Sequence, residues 1–302
     1  MANRLFVFGC SFTAYSWPGW SDFLSIGYDE YYNYALAGIG NRAIAERLIE
    51  AHATHNINEN DTVIVQWSTH LRNDWYNPNI AEKEGGVSWK TDGSLFNYKN
   101  MERYSQEWYD TFFYEPAYLM HTYNFILMIQ NVLENTKCTY YMTSVGDLRN
   151  GGSDLKDSGT FNENVIKRNA QTNDFSIWED YPHLKEIYSK PIWEDRSDVW
   201  LEPIMIYYLY NCQEFTYKWR TEEGRIEDEL HPSVEQHFLW LEDQLLTKLG
   251  KEDIIKECED ICKHTRLIYN KCYNNMLSFE RHLGSFKHPK LSWPNQPLGN
   301  LK

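Results

Sequence analysis

The chain has 302 residues, with 29 Lys and Arg against 43 Asp and Glu, which gives a formal charge of −14 with His neutral. A hydrophobic content of 42% and an aromatic content of 16% exclude an intrinsically disordered chain. The negative charge argues against nucleic acid as a partner, because such a partner is bound mainly through its phosphates. The length suits one large domain with insertions, or two smaller domains.

The first apolar run, residues 5–9, is too short for a signal peptide or a membrane span, and no later stretch reaches about 18 apolar residues. We therefore expect no transmembrane segment and a soluble protein made in the cytoplasm. The cysteines are scattered along the chain, which favours reduced thiols over a disulfide framework. They are Cys10, Cys138, Cys212, Cys258, Cys262 and Cys272.

Four regular elements are predicted in the first quarter of the chain. Residues 5–8 are all apolar and predict a buried strand. A weaker strand candidate covers residues 31–36. Residues 41–55 carry apolar side chains at helical spacing and predict an amphipathic helix. Residues 61–67 combine a charged start with β-branched residues, which predicts another strand.

Two long excursions interrupt the rest of the chain. Residues 70–114 are polar and aromatic, and residues 146–197 are rich in Asn, Asp, Gly and Ser, so both are interpreted as loop-dominated insertions. The other predicted elements are a helix over 115–136, a strand over 138–145, helices over 198–211 and 232–249, one or two helices within 251–282, and an extended tail after residue 284.

The alternation of strands and helices predicts an α/β protein whose parallel sheet carries helices on both faces. The expected architecture is a three-layer, flavodoxin-like domain over residues 1–250 that includes both insertions. A helical extension over residues 251–302 follows it. Ligands bind at the carboxyl ends of the strands in such sheets, so the segments that follow the strands are the first candidates for chemistry.

Ser11 follows the first predicted strand within the sequence Gly9-Cys10-Ser11. A serine at this place can expose both its hydroxyl and its backbone N–H at the edge of the sheet. The alternative interpretation is a serine that only caps the next helix.

A second candidate is the segment that runs from Asp228 to His231 and Pro232. An Asp three residues before a His can reach the imidazole Nδ1 from a single turn, orient the ring and stabilise the imidazolium. Pro232 then starts a helix that anchors the His. The alternative is an acidic surface loop that precedes a helix.

Gly38 lies in a turn between Asn33 and the helix predicted from Asn41. A glycine here lets a backbone N–H approach an anionic oxygen beside a helix N-terminus, which itself favours negative charge.

These three segments together resemble the SGNH (GDSL-like) hydrolase superfamily. The Gly-Asp-Ser block of that family matches Gly9-Cys10-Ser11 with Cys in place of Asp. The block with an Asn and a Gly-containing turn matches Asn33 to Gly38, and the final Asp-x-x-His block matches Asp228 to His231. The resemblance covers residues 1–145 and 215–250.

The third block of the family, Gly-x-Asn-Asp, is replaced here by the run Gln66-Trp67-Ser68-Thr69-His70. An alignment on Gln66 puts Ser68 at the glycine position and His70 at the position of the asparagine that donates to the oxyanion. His70 is therefore the expected third oxyanion donor, with Ser68, Thr69 and Asn73 as alternatives.

The resemblance implies ester hydrolysis through an acyl-enzyme, which needs neither a metal nor an organic cofactor. Ser11 is the implied nucleophile, His231 the general base and acid, and Asp228 the group that orients His231. The N–H groups of Ser11 and Gly38 are the implied oxyanion donors.

The expected substrates are small acyl esters, including O-acetyl groups on carbohydrate, and Trp67 and Trp75 are candidate substrate-binding residues because indole rings stack on sugars. SGNH-like chains also occur in phage particles. The alternative is therefore a non-catalytic binding or assembly protein, virion-associated rather than free in the cytoplasm, with protein partners or a homo-oligomer.

Two other patterns are weaker. The run Gly38-Ile39-Gly40-Asn41-Arg42-Ala43 fits a dinucleotide-binding turn, but no acidic residue follows the next strand at the required place. Cys258 and Cys262 are four residues apart, but no second pair stands at metal-ligand spacing, so they are interpreted as small apolar residues on a packing face.

Overall fold

The computed structural model describes residues 2–76, 89–94, 105–112, 114–149, 181–229, 231–285, 291 and 293. Its strands are β1 (Arg4–Phe8), β2 (Glu30–Asn33), β3 (Asp61–Trp67), β4 (Arg72–Tyr76), β5 (Trp89–Ser94), β6 (Thr139–Ser144), β7 (Lys218–Arg220) and β8 (Ile226–Asp228). Its α-helices are α1 (Trp20–Ser25), α2 (Asn41–His55), α3 (Gln106–Phe112), α4 (Glu115–Thr136), α5 (Pro182–Tyr188), α6 (Ile204–Asn211), α7 (Val234–Leu241), α8 (Thr247–Leu249), α9 (Ile255–Lys271) and α10 (Met276–Gly284).

A four-stranded parallel sheet in the order β2-β1-β3-β6 forms the centre of the protein. An isolated parallel bridge between Met142 and Trp200 extends pairing beyond β6. This order is that of a doubly wound sheet, in which β1 and β3 lie inside and the carboxyl ends of all strands meet at one edge. The predicted α/β class and flavodoxin-like arrangement are confirmed.

Helices cover the sheet, which explains why its inner strands are buried along almost their whole length. All seven residues of β3 are buried, as expected for a strand between two helical layers. Helix α2 packs against α4, and α1 packs against α7. The second contact is aromatic, with ring centroids of Trp20 and Trp240 5.6 Å apart.

The predicted extension after residue 250 packs onto the same core. Helix α9 lies against α7 and α10. On α10, Phe279 and Leu283 are completely buried, and Phe279 meets Trp17 from the first loop at 6.0 Å. Within the described residues, no helix combines the length and the hydropathy needed to cross a bilayer.

Both excursions contain regular structure that the composition did not predict. Strands β4 and β5 form an antiparallel hairpin. Trp89 anchors this hairpin to the hydrophobic core, where only 4% of the residue is exposed. In the second excursion, α5 continues into a π-helical segment, Ser189–Glu194. The local signals are a proline in the first turn and two buried residues, Leu184 and Tyr188, at a spacing of four. Residues 150–180 of that excursion lie outside the described residues.

The helix predicted over residues 198–211 is wrong in its first half. Trp200 and Leu201 are extended because they pair with Met142 beside β6, and α6 begins only after Pro203. The hairpin of β7 and β8 was not predicted at all, although it carries the acidic residues that precede His231. Apart from residues 291 and 293, the tail after residue 285 lies outside the described residues.

Candidate active site

The candidate nucleophile lies in a tight turn that directly follows β1. Gly9 is the first residue after the strand, and its carbonyl accepts a hydrogen bond of 3.0 Å from the Leu36 N–H, which brings the loop after β2 alongside. A Cβ at position 9 would lie 2.2 Å from Thr13 Oγ1, so only glycine lets the turn fold back this closely. Ser11 is 7% exposed in this turn.

His231 contacts Ser11 across 220 positions of sequence. The Nε2 atom of His231 lies 3.0 Å from Ser11 Oγ. Its other ring nitrogen, Nδ1, lies 2.9 Å from Oε1 of Glu229, and the same oxygen accepts the His231 backbone N–H at 3.0 Å. A hydroxyl, an imidazole and a carboxylate therefore form a continuous hydrogen-bonded chain.

The expected contact between Asp228 and His231 is wrong, and Glu229 occupies that place. Asp228 pairs with Lys218 across the hairpin, with a salt bridge of 2.8 Å between side chains that are 46% and 56% exposed. Glu229 continues the ladder one residue further, where its N–H donates to the Tyr217 carbonyl at 2.8 Å. Neighbouring side chains alternate between the two faces of a strand, so Asp228 faces solvent and Glu229 faces inward with Tyr217.

The electrostatics of this Ser11–His231–Glu229 hydrogen-bonded chain favour one tautomer of His231. Burial disfavours the charged form of Glu229, but the hydrogen bonds from the side chain and backbone of His231 outweigh it, and the pKa of Glu229 lies below its usual value. Glu229 is therefore a carboxylate that only accepts, so Nδ1 carries the proton. Nε2 then presents its lone pair to the Ser11 hydroxyl.

His231 is held at a rigid boundary. The next helix, α7, starts with a capping box in which Ser233 Oγ accepts from the Gln236 N–H at 3.2 Å, and Gln236 Oε1 accepts from the Ser233 N–H at 2.8 Å. The carbonyl of Pro232 accepts a 2.7 Å hydrogen bond from Trp17 Nε1. The loop that carries Ser11 therefore also fixes the backbone beside His231.

The two backbone N–H groups that are the expected oxyanion donors have no acceptor in the part of the protein that the structure describes. Within the described residues, neither the Ser11 N–H nor the Gly38 N–H donates to another group. Gly38 adopts a φ of 79°, the left-handed conformation that glycine takes without strain. It follows Leu36 by two residues, and Leu36 is bonded to Gly9 at the base of the Ser11 turn.

The candidates for a third donor follow the end of β3. Ser68 and His70 are 1% and 2% exposed, and the Ser68 hydroxyl has no hydrogen-bond partner within the described part of the chain. The Thr69 hydroxyl accepts from the Leu71 N–H at 3.3 Å. Asn73 lies in β4, where the pairing register with β5 shifts.

Asn41 fixes the backbone of this segment. Its Oδ1 accepts the Ser68 N–H at 2.7 Å, and its Nδ2 donates to the Ser68 carbonyl at 3.1 Å. The first residue of α2 thus ties the turn that contains Gly38 to the end of β3, so that two loops which carry candidate oxyanion donors are held together.

The N-terminus of α2 is occupied by a protein carboxylate. Asp74 accepts from the N–H groups of Gly40 and Ala43 at 2.8 and 3.2 Å. Burial raises the pKa of Asp74, and these two donors partly oppose the rise. A dinucleotide phosphate would need the same N–H groups. The N-terminus of α2 is therefore not suited to bind a dinucleotide, even though its sequence matches the dinucleotide-binding pattern.

The two tryptophans proposed to bind substrate differ in position. Trp67 is completely buried, and its Nε1 donates to Met142 Sδ at 3.4 Å, so the expectation of a substrate contact there is wrong. It belongs to an inner strand whose two faces are both covered. Trp75 is half-buried in β4.

A cavity of about 290 Å³ opens beside the carboxyl end of β6. Ser144, Trp200 and Glu202 line it together with the ion pair of Asp147 and Arg149. It lies at the sheet edge that also carries Ser11, two strands away from β1.

The cysteines of α9 pack inward. Cys258 and Cys262 are buried, and Cys262 Sγ lies 3.9 Å from the Val234 carbonyl of α7. Burial raises the pKa of Cys258 to about 12, which disfavours the thiolate that a metal requires. Within the described ranges, no group of three or more potential ligands is close enough to hold a metal ion.

No protein-family model matches this chain, and no curated protein matches its sequence. The geometry that joins Ser11, His231 and Glu229 is therefore the basis for a functional assignment. Sequence reasoning missed Glu229. The available signal was the alternation of buried Tyr217 and exposed Lys218 before a Gly-containing turn, which indicates a hairpin.

Proposed function

We propose that this protein is a serine esterase of the SGNH type that cleaves small acyl esters with a Ser-His-Glu triad. The observation that carries the proposal is the chain of contacts from Ser11 Oγ through His231 to Glu229, at 3.0 and 2.9 Å. Side chains that lie 220 positions apart meet in the order that nucleophilic catalysis requires.

In the first half-reaction, Ser11 Oγ attacks the ester carbonyl carbon while His231 Nε2 takes the hydroxyl proton. Glu229 keeps the ring oriented and stabilises the imidazolium that forms. The tetrahedral intermediate collapses when the bond to the leaving alcohol breaks, and His231 returns the proton to that oxygen. Ser11 is left acylated.

In the second half-reaction, water attacks the acyl-enzyme with His231 again as the base. The carboxylic acid leaves, and the Ser11 hydroxyl is regenerated. The N–H groups of Ser11 and Gly38 stabilise the negative oxygen in both steps, with Ser68 or His70 as a third donor. Each such donor contributes roughly 10²–10³ to turnover.

We place the alcohol portion of the substrate, about the size of one sugar ring, in the cavity beside β6, two strands away from β1 at the same edge of the sheet. Trp200 offers an apolar surface there, while Glu202 and the pair of Asp147 and Arg149 offer hydrogen-bonding groups. An O-acetylated carbohydrate fits this mixture better than a long lipid chain does, because sugar hydroxyls can hydrogen-bond to polar groups that a lipid chain would only remove from water.

The direct test compares the wild type with Ser11→Ala in the hydrolysis of p-nitrophenyl acetate. We expect turnover in the wild type and a fall to the uncatalysed rate in the variant. Ser25→Ala is the matched control, because Ser25 is buried like Ser11 and its hydroxyl donates to the Asp22 carbonyl at 2.6 Å and not to His231. Equal rates in wild type and Ser11→Ala remove Ser11 as the nucleophile.

A fluorophosphonate probe gives a second measurement, since it labels activated serines without a requirement for the natural substrate. We expect mass spectrometry to place the adduct on Ser11 and to find none in Ser11→Ala. A folded wild-type protein that remains unlabelled contradicts the esterase and favours the non-catalytic binding role.

A further inference from the structure

The ring of His231 is enclosed by aromatic side chains from the loop that carries Ser11. Tyr15 stacks on the imidazole with a centroid distance of 3.7 Å and an angle of 17° between the planes. Phe12 approaches at 5.3 Å and a tilt of 43°. Phe12 and Tyr15 flank Thr13 and Ala14 in the sequence of this loop. A single turn therefore supplies the nucleophile and the side chains that hold its base.

Trp17 anchors the same loop to the protein core. Trp17 meets Tyr15 edge-on at 4.5 Å, and its Nε1 donates to the Pro232 carbonyl at 2.7 Å. Trp17 is completely buried. The stack on His231 is therefore supported from the core and is not a contact between two mobile surface rings.

We propose that Tyr15 is a positioning residue that acts through His231: its ring face holds the imidazole in line with Ser11 and stabilises the imidazolium formed during catalysis. The inference rests on the proposed function for its catalytic consequence. The face of an aromatic ring attracts a cation within about 6 Å of its centroid, and a stacked geometry restricts rotation of the imidazole about its side-chain bonds.

The charged and titratable groups around His231 allow this effect to be isolated. Glu229 favours the imidazolium from the Nδ1 side. Behind it on α7, His237 has its pKa lowered to about 3 by burial and by His231, so it is neutral over the assay range. Burial, Glu229 and Glu280 raise the pKa of Tyr15 well above its usual value, so the phenol is neutral there as well.

The experiment compares Tyr15→Leu, which removes the ring, with Tyr15→Phe, which keeps it and removes the hydroxyl. We expect kcat/KM for p-nitrophenyl acetate to fall about three- to tenfold in Tyr15→Leu, and the acid limb of its pH profile to move down by about half a pH unit. Tyr15→Phe should restore most of the rate and the original limb.

Tyr32→Leu is the matched control because Tyr32 also belongs to a stacked pair, with Phe6 at 4.7 Å and 8°, away from His231. Its loss should lower thermal stability and leave the pH profile in place. A Tyr15→Leu variant that loses only stability contradicts the proposal. So does a Tyr15→Phe variant that behaves like Tyr15→Leu, because the hydroxyl and not the ring face would then be responsible.

A readout without ester hydrolysis separates this inference from the proposed function. Diethyl pyrocarbonate modifies neutral imidazole, and His231 is 20% exposed, so the pH of half-maximal modification of His231 can be followed by mass spectrometry. We expect that pH to fall in Tyr15→Leu and not in Tyr15→Phe. If the pH of half-maximal modification falls in Tyr15→Leu while the wild type hydrolyses no ester, the stacking role of Tyr15 is supported and the proposed esterase activity is refuted. If it does not shift, the inference fails whatever the activity. Should Tyr15→Leu not fold, Tyr15→Met is judged by the same outcomes.

Discussion

The neighbouring acids Asp228 and Glu229 give the sharpest test of the site, because the family resemblance implies one and the geometry the other. We compare Glu229→Gln with Asp228→Asn, each of which removes one charge and retains the shape of the side chain. Glu229 is 11% exposed and lies 2.9 Å from His231 Nδ1, whereas Asp228 forms an exposed salt bridge with Lys218.

The magnitude follows from this difference in surroundings. Two opposite charges about 4 Å apart near a protein surface attract by roughly 4 kcal/mol, and the imidazolium of His231 loses this attraction in Glu229→Gln. The amide can also offer N–H to Nδ1 and favour the wrong tautomer. We therefore expect kcat to fall by about 10²–10³. The exposed pair of Asp228 contributes at most about 1 kcal/mol to folding, so Asp228→Asn should retain activity within about twofold.

The assay is the initial rate of p-nitrophenyl acetate hydrolysis, with thermal unfolding to verify that both variants are folded. Labelling of Ser11 by the fluorophosphonate should slow in parallel in Glu229→Gln. The reasoning is refuted if Asp228→Asn is the inactive variant, or if Glu229→Gln keeps the wild-type rate in a folded protein.

Three further results are expected. Burial and the nearby His231 lower the pKa of His237 from 6.5 to about 3. Between pH 3 and pH 6.5 the imidazole of His237 therefore takes up a proton in the unfolded chain but not in the folded protein. The free energy of unfolding should for this reason be about 2 kcal/mol smaller at pH 5 than at pH 8. His237→Gln should flatten this part of a urea-denaturation series, and an unchanged slope would count against a buried neutral imidazole. Trp67→Ala should cost about 3–5 kcal/mol of stability in urea, since Trp67 is fully buried; a raised KM at unchanged stability would instead indicate a substrate contact. Gly38→Ala should lower kcat at least about tenfold, while Gly250→Ala, at a similar positive φ of 62°, should affect only stability, and equal effects of both on kcat would remove the oxyanion role.

Local sequence was sufficient for the elements whose side-chain pattern decides their structure. The helices α2 and α4 and the strand β3 have the predicted bounds, Asn41–His55, Glu115–Thr136 and Asp61–Trp67. Helical periodicity, a proline in a first turn and a run of β-branched residues are properties of a few neighbouring residues. The same alternation of elements was enough to predict a parallel sheet with helices on both faces.

Long-range pairing decided what the local pattern left open. Asp228 and Glu229 are adjacent and chemically alike, and only the pairing of β8 with β7 turns one toward Lys218 and the other toward His231. The stack of Tyr15 on His231 likewise joins distant segments. The sequence alone determined the architecture and the pair of Ser11 and His231 as candidates, because their motifs are local. The tertiary structure decided that Glu229 and not Asp228 contacts His231. The side that a strand residue faces depends on its partner strand and not on the identity of the residue.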